Sequence, residues 1–190
     1  MMSIQVQACV DDSYSKQSGI YVLGGAIATT ERWAAFAGEW EELLGLAKLQ
    51  RSGKRAFKMT EMKFYEFLPA FYKTIRKHAM CTFGFAFNVD QFERSLAKFS
   101  ALPFLNVEWN KTANHFIFAF AVLMNVIASQ KSEIDKRIGT TERIDFIFDN
   151  HGDKRAILLG WDLFVETLED EFRRHFGATP RFDGAALTTA

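Results

Sequence analysis

Residues 4 to 28 read IQVQACVDDSYSKQSGIYVLGGAIA, and this stretch constrains the fold more than any other. Ile4, Val6, Ala8 and Val10 alternate with Gln5, Gln7 and Cys9, the period-two pattern of a half-buried strand. Residues 20 to 28 give a second strand-length apolar run. The polar segment between them is too short for a helix, so the two runs predict a β-hairpin. Gly24-Gly25 inside the second run predicts a bulge or a close backbone approach. The first strand is expected to end in Asp11-Asp12, two carboxylates that repel each other unless solvent or a cation separates them.

The hairpin is followed by alternating helix and strand signals. Thr29 or Thr30 is expected to cap a helix with Trp33, Phe36, Ala37, Trp40, Leu43 and Leu44 on one stripe. Thr60 is a candidate cap for a second helix carrying Phe64, Leu68, Phe71 and Ile75, broken or kinked at Pro69. A third strand is expected at 79–89, and Asp90 with Glu93 has the form of a capping box opening a short helix. A long apolar helix follows over about 112–129, a fourth strand over 142–150 and an amphipathic helix over 155–174. There is no repeat, low-complexity segment or linker, so 1–190 reads as a single α/β domain, a mixed sheet with helices outside. The strand at 143–149 is expected to lie parallel and adjacent to the strand at 4–10.

Composition sets limits on function. The chain of 190 residues has 23 basic and 23 acidic side chains, so bulk electrostatics do not draw it to nucleic acid. The local exception is Lys48, Arg51, Lys54, Arg55, Lys58 and Lys63, set against Glu61 alone. This loop reads either as a solvated segment or as a phosphate contact near the acidic sheet edge. Cys9 and Cys81 both fall in apolar strand-like runs, as expected of buried reduced thiols in a cytoplasmic protein. The apolar run FIFAFAVLMNVIA at 116–128 is shorter than the roughly 20 residues a membrane span needs, and no membrane association is expected.

The chemistry-bearing residues are acids. Asp11 closes the first strand and Asp149 closes IDFIFD, the fourth. On parallel neighbouring strands, about 4.8 Å apart, both carboxylates stand beyond the carboxyl edge of the sheet, where open α/β sheets bind ligands. Hard oxygen donors of this kind suit Mg²⁺ or Mn²⁺. Glu61 is the third candidate, and Glu108 competes with it. Each acid also has an ordinary structural reading: strand ends favour Asp as a turn residue, and Glu61 suits the first turn of a helix. His151, two residues after Asp149, is placed to shuttle a proton or is a loop histidine without a role. His78, His115 and His175 have no zinc-ligand spacing with one another or with the cysteines. Neither a Gly-rich phosphate loop nor a Gly-x-Ser-x-Gly elbow is present.

Three segments carry a resemblance: VDDSYSKQSGIYVLGGAIATTERWAAFAGEWEELL, FKMTEM and IDFIFDN. In order and spacing, from about residue 6 to 183, they resemble the domain-of-unknown-function family 3800. The resemblance implies a ribonuclease H-like fold with an acidic divalent-metal site. It makes Asp11 the first-strand ligand, Asp12 the second acid of that motif, Glu61 the acid of the second motif and Asp149 the later-strand acid. The family's closing Ala-Asp-Leu-Leu-Ala-type motif has no counterpart in FDGAALTTA, where Asp183 is a poor substitute.

Two functions follow as expectations. One is a metal-dependent nuclease or phosphodiesterase using Asp11, Glu61 and Asp149, with Asp12 as a further ligand and nucleic acid gripped by the Lys48–Lys63 loop. The other is a non-catalytic interaction protein of the same fold. A phosphatase with an Asp nucleophile ranks last, because residue 13 is Ser where that chemistry uses an acid.

Overall fold

A computed structural model describes residues 5–46, 67–100, 115–140, 142–148, 154–167, 173, 175–177 and 179–182. The hairpin forms as the alternation predicts, but it is longer. Strand β1 spans Val6–Ser15 and β2 spans Ile20–Thr29, paired antiparallel from Val6↔Thr29 to Ser15↔Ile20. Gly19 closes the turn at φ +64°, a conformation with little cost only for glycine, and its N–H donates to Ser15 O at 2.8 Å. Asp11 and Asp12 are therefore interior to β1. The polar half of the strand is held by the β2 backbone and not by side-chain burial, so its apolar alternation stops before its hydrogen bonding does.

Helix α1, Thr30–Leu44, starts directly after β2, with Thr29 as its cap accepting from the Arg32 N–H. Helix α2, Leu68–His78, carries Pro69 in its first turn, where the missing N–H costs nothing. Pro69 thus lies in the opening turn of this helix; the stretch from Thr60 to Glu66, on which the expected break or kink depends, lies outside the described residues. Strand β3 spans Cys81–Asn88 and pairs antiparallel with β2. Helix α3, Val89–Ser100, is entered through Asn88, whose Oδ1 accepts from the Gln91 N–H at 2.9 Å; Asp90 sits in the first turn and is not the cap. Helices α4, His115–Ser129, and α5, Lys131–Ile138, follow, and α5 ends on Gly139 at φ +78°.

Strand β4, Ile144–Phe148, pairs parallel with β1 from Val6↔Ile144 to Val10↔Phe148, as expected from the sequence. Helix α6 spans Lys154–Thr167, and a two-residue strand β5, Arg181–Phe182, pairs parallel with β4. The sheet order is β3-β2-β1-β4-β5, and only β2 runs against the others. The architecture is mixed α/β.

One face of the sheet holds the main core. Val6, Ala8 and Val10 of β1, Phe146 and Phe148 of β4, and Phe120, Leu123 and Met124 of α4 are buried together with Ile157 and Trp161 of α6. Helix α4 lies against β2 and β3 and against α6, where Gly160 allows close approach: a Cβ there would stand 3.0 Å from the Phe120 ring. Of the twenty Phe residues, many serve as this filler, and each fully buried ring contributes about 1.5–3 kcal/mol over an exposed one. Among the described residues, no single helix is long and apolar enough to cross a membrane; α4 and α5 pass such a test only jointly and are bent by 64° at their junction.

Candidate metal centre at the end of the β1–β4 ladder

Among the described residues, the last pair of the parallel ladder is Val10↔Phe148. Asp11 is the next residue on β1, and Asp149 follows Phe148 in the chain. Asp149 itself lies outside the described residues, as do Glu61, Glu108, His151, Asp183 and the whole Lys48–Lys63 loop. Of the candidate ligands, Asp11 and Asp12 are therefore the two whose setting can be given.

Strand alternation sends these two neighbours to opposite faces. Asp12 shares the face of Val10, is half-buried and stands opposite the fully buried Leu23. Asp11 shares the face of Cys9 and is exposed. Its Oδ1 accepts the Asp12 N–H at 2.9 Å, which orients the carboxylate. The Asp11 and Asp12 carboxylates, both expected as metal ligands, thus start from opposite faces of β1.

The surroundings of Asp11 are set by glycine. Its partner on β2 is Gly24, and the partner of Gly24 on β3 is Gly84. No side chain rises from either position, so the row beside the Asp11 carboxylate stays low. Gly25, one row back, is required by packing: a Cβ there would fall 2.0 Å from Cys9 O and 2.9 Å from the Phe83 ring. The two glycines inside β2 thus serve the close approach, not a bulge. Cys9 is half-buried on the Asp11 face, and burial pushes its thiol up to about 11, so it stays a neutral thiol near pH 7 and offers no nucleophile.

The described histidines have other settings. His115, at the start of α4, packs its ring at 5.1 Å from that of Tyr21 and 6.3 Å from that of Tyr14. His78, 6% exposed, ends α2 with Nε2 at 3.1 Å from Glu39 Oε2 of α1. His175 lends its backbone carbonyl to the Ile144 N–H. Among the described residues, no three His, Cys, Asp or Glu side chains gather to hold an ion.

Among the described residues the buried polar side chains are Thr74, His78 and Lys131, and no sequence pattern marks any of them as buried. Lys131, 3% exposed, meets Asp135 Oδ1 at 2.5 Å and the Glu142 carbonyl at 3.3 Å, which ties α5 to the approach to β4. Its Lys-x-x-x-Asp spacing is an ordinary helical ion pair, and only the fold buries it. No family model matches the chain, and no curated protein and no solved structure is significantly similar to it.

Proposed function

We propose that the chain is a divalent-metal-dependent phosphodiester-cleaving enzyme of ribonuclease H-like type. The observation that carries this reading is the last rung of the parallel ladder, Val10↔Phe148. Val10, inside β1, and Phe148, the last residue of β4, are registered partners and each is followed in the chain by Asp, so one Cα step of about 3.8 Å leads from each partner to its acid. The antiparallel opening of the sheet also suits a ribonuclease H-like fold.

The residues fit a hard cation through the chemistry of the donor set, with Asp11 exposed and its neighbours Gly24 and Gly84 free of side chains. Asp11, Asp149 and Glu61 would hold Mg²⁺ or Mn²⁺, which polarises a phosphodiester and activates water. The chain's own contributions are then distinct. Asp11 supplies a carboxylate already oriented by the Asp12 N–H. Gly24 and Gly84 leave clearance for a polymer backbone beside it. The basic stretch Lys48–Lys63 supplies phosphate contacts, and Cys9 stays protonated and uninvolved.

The test is a thermal melt of the wild type and Asp11→Asn, with and without millimolar Mn²⁺, followed by a cleavage assay on single-stranded and duplex RNA and DNA. Mass action predicts a higher Tm with Mn²⁺ in the wild type only. The apo variant should melt no lower than the apo wild type, since it loses a like-charge neighbour. Equal shifts in both proteins would place any bound ion elsewhere and favour a non-catalytic interaction protein, the second reading, which also has in its favour that β3 is the terminal strand on its side of the sheet among the described residues.

A further inference from the structure

We propose that Lys154 is a phosphate-binding residue at the candidate metal centre, an inference that rests on the phosphodiester-cleaving function proposed above. The two parallel pairings of β4 set Val10, Phe148 and Phe182 in one row across β1, β4 and β5. Asp11 follows the first of these in the chain and Asp149 the second, so the row borders the candidate centre. Lys154, the first residue of α6, holds its ammonium 5.6 Å from the centroid of the Phe182 ring. That ring is half-buried against the core, 6.1 Å from the Phe148 ring. The ammonium thus stands at the carboxyl end of β4 and β5.

The setting of this ammonium suits an anion from outside the fold. Lys154 is exposed, and among the described residues no carboxylate pairs with it, whereas Lys77, Lys131 and Lys136 each meet one. A ring face steadies a cation through its quadrupole but leaves the ammonium N–H donors available. Helix α6 packs on the sheet through Ile157 and Trp161, on the face that Val10 and Phe148 bury, while Asp11 stands on the other face. Cation and carboxylate therefore approach the sheet edge from opposite sides. Two strand spacings separate Asp11 from Phe182, about 10 Å. That distance admits an ion and a phosphate in series, with ion–oxygen contacts of about 2.1 Å and an ammonium–oxygen contact of about 2.8 Å. The ion on Asp11 then meets one phosphate oxygen, and Lys154 offers the other a compact positive charge.

The experiment is fluorescence anisotropy of a labelled single-stranded oligonucleotide over a series of KCl concentrations, on the full chain in an Asp11→Asn background so that cleavage does not intervene. Lys154→Gln should weaken binding about three- to tenfold whatever the base sequence, and flatten the slope of log K against log salt by about one. Lys154→Arg keeps the charge and should restore both. Lys98→Gln removes an exposed lysine of α3, beside the opposite edge of the sheet, and should change neither. In chains that retain Asp11, Lys154→Gln should leave the Mn²⁺-induced rise in Tm as large as in the wild type, because the ammonium holds phosphate and not the ligands of the ion. Four results would each overturn the proposal: no oligonucleotide binding, an affinity and slope unchanged by Lys154→Gln, an equal loss in Lys98→Gln, or a Mn²⁺ shift that disappears with Lys154. The metal reading itself fails on a different result, a Mn²⁺ shift that is the same with and without Asp11.

Discussion

The sheet with its α4–α6 layer and the α1–α2 pair are held by different forces. The main core joins β1, β2, β4, α4, α5 and α6, and among the described residues it includes none from α1 or α2. Those two helices pack chiefly on each other through Phe36, Trp40 and Phe71, with the Trp40 and Phe71 rings 4.8 Å apart. Polar links tie the pair together and to the sheet. The Trp33 indole N–H donates to Gln7 O at 3.1 Å, the Arg32 guanidinium donates to the Lys77 and His78 carbonyls, and Glu39 meets both Lys77 and His78. A large dry core opens only with global unfolding, whereas a small aromatic cluster with partly exposed ion pairs opens locally. The candidate metal centre is on the first region, so its geometry is expected to survive loosening of the second.

The largest expected effect comes from the sheet core. Phe146, 1% exposed against Trp161 and Phe176, should cost about 3–5 kcal/mol as Phe146→Ala and lower the single denaturation midpoint of the whole chain. Phe71→Ala removes an equally buried ring, yet native-state hydrogen exchange should show protection lost first in α1 and α2 with the β1 and β4 amides retained. Loss of protection throughout would erase the distinction between the regions. Gly25→Ala should cost on the order of 1–3 kcal/mol, because the new Cβ meets the Cys9 carbonyl and the backbone must shift. Gly84→Ala, which meets nothing nearer than 3.8 Å, should leave the melting temperature close to wild type.

The smallest effect is electrostatic. The Lys77 ammonium first, and then His78, hold the Glu39 carboxyl below the usual carboxylate range. A depressed carboxyl pKa stabilises the fold above the unfolded-state value and loses that contribution as pH falls through the folded one. The Tm gap between wild type and Glu39→Gln should therefore shrink as pH falls from about 6 to about 3. A gap that widens toward acid would reverse the assignment.

What the sequence made legible follows from how each element is stabilised. The β1–β4 pairing was readable because both strands bury one face and so alternate or run apolar. The outer half of β1, from Asp11 to Ser15, was not, since its hydrogen bonds to β2 leave no hydrophobic trace. Strand β5 has two residues, and only its register with Ile147 and Phe148 makes it a strand. Asn88 was hidden as the α3 cap because Asp90 and Glu93 offered a competing capping pattern. At the candidate site, Asp11 was legible as the acid one step past Val10, but not as a residue interior to β1. Its separation from Asp12 was not, because it follows from the strand continuing past both residues.

The proposed metal centre requires that one divalent cation be shared by the acids following Val10 and Phe148. Anomalous diffraction from a crystal of the full chain soaked in Mn²⁺ tests it most directly. The expected result is a Mn²⁺ peak within ligating distance of both the Asp11 and Asp149 carboxylates, absent from an Asp11→Asn crystal treated in the same way. A peak held without Asp11, or two carboxylates too far apart to share an ion, would contradict it.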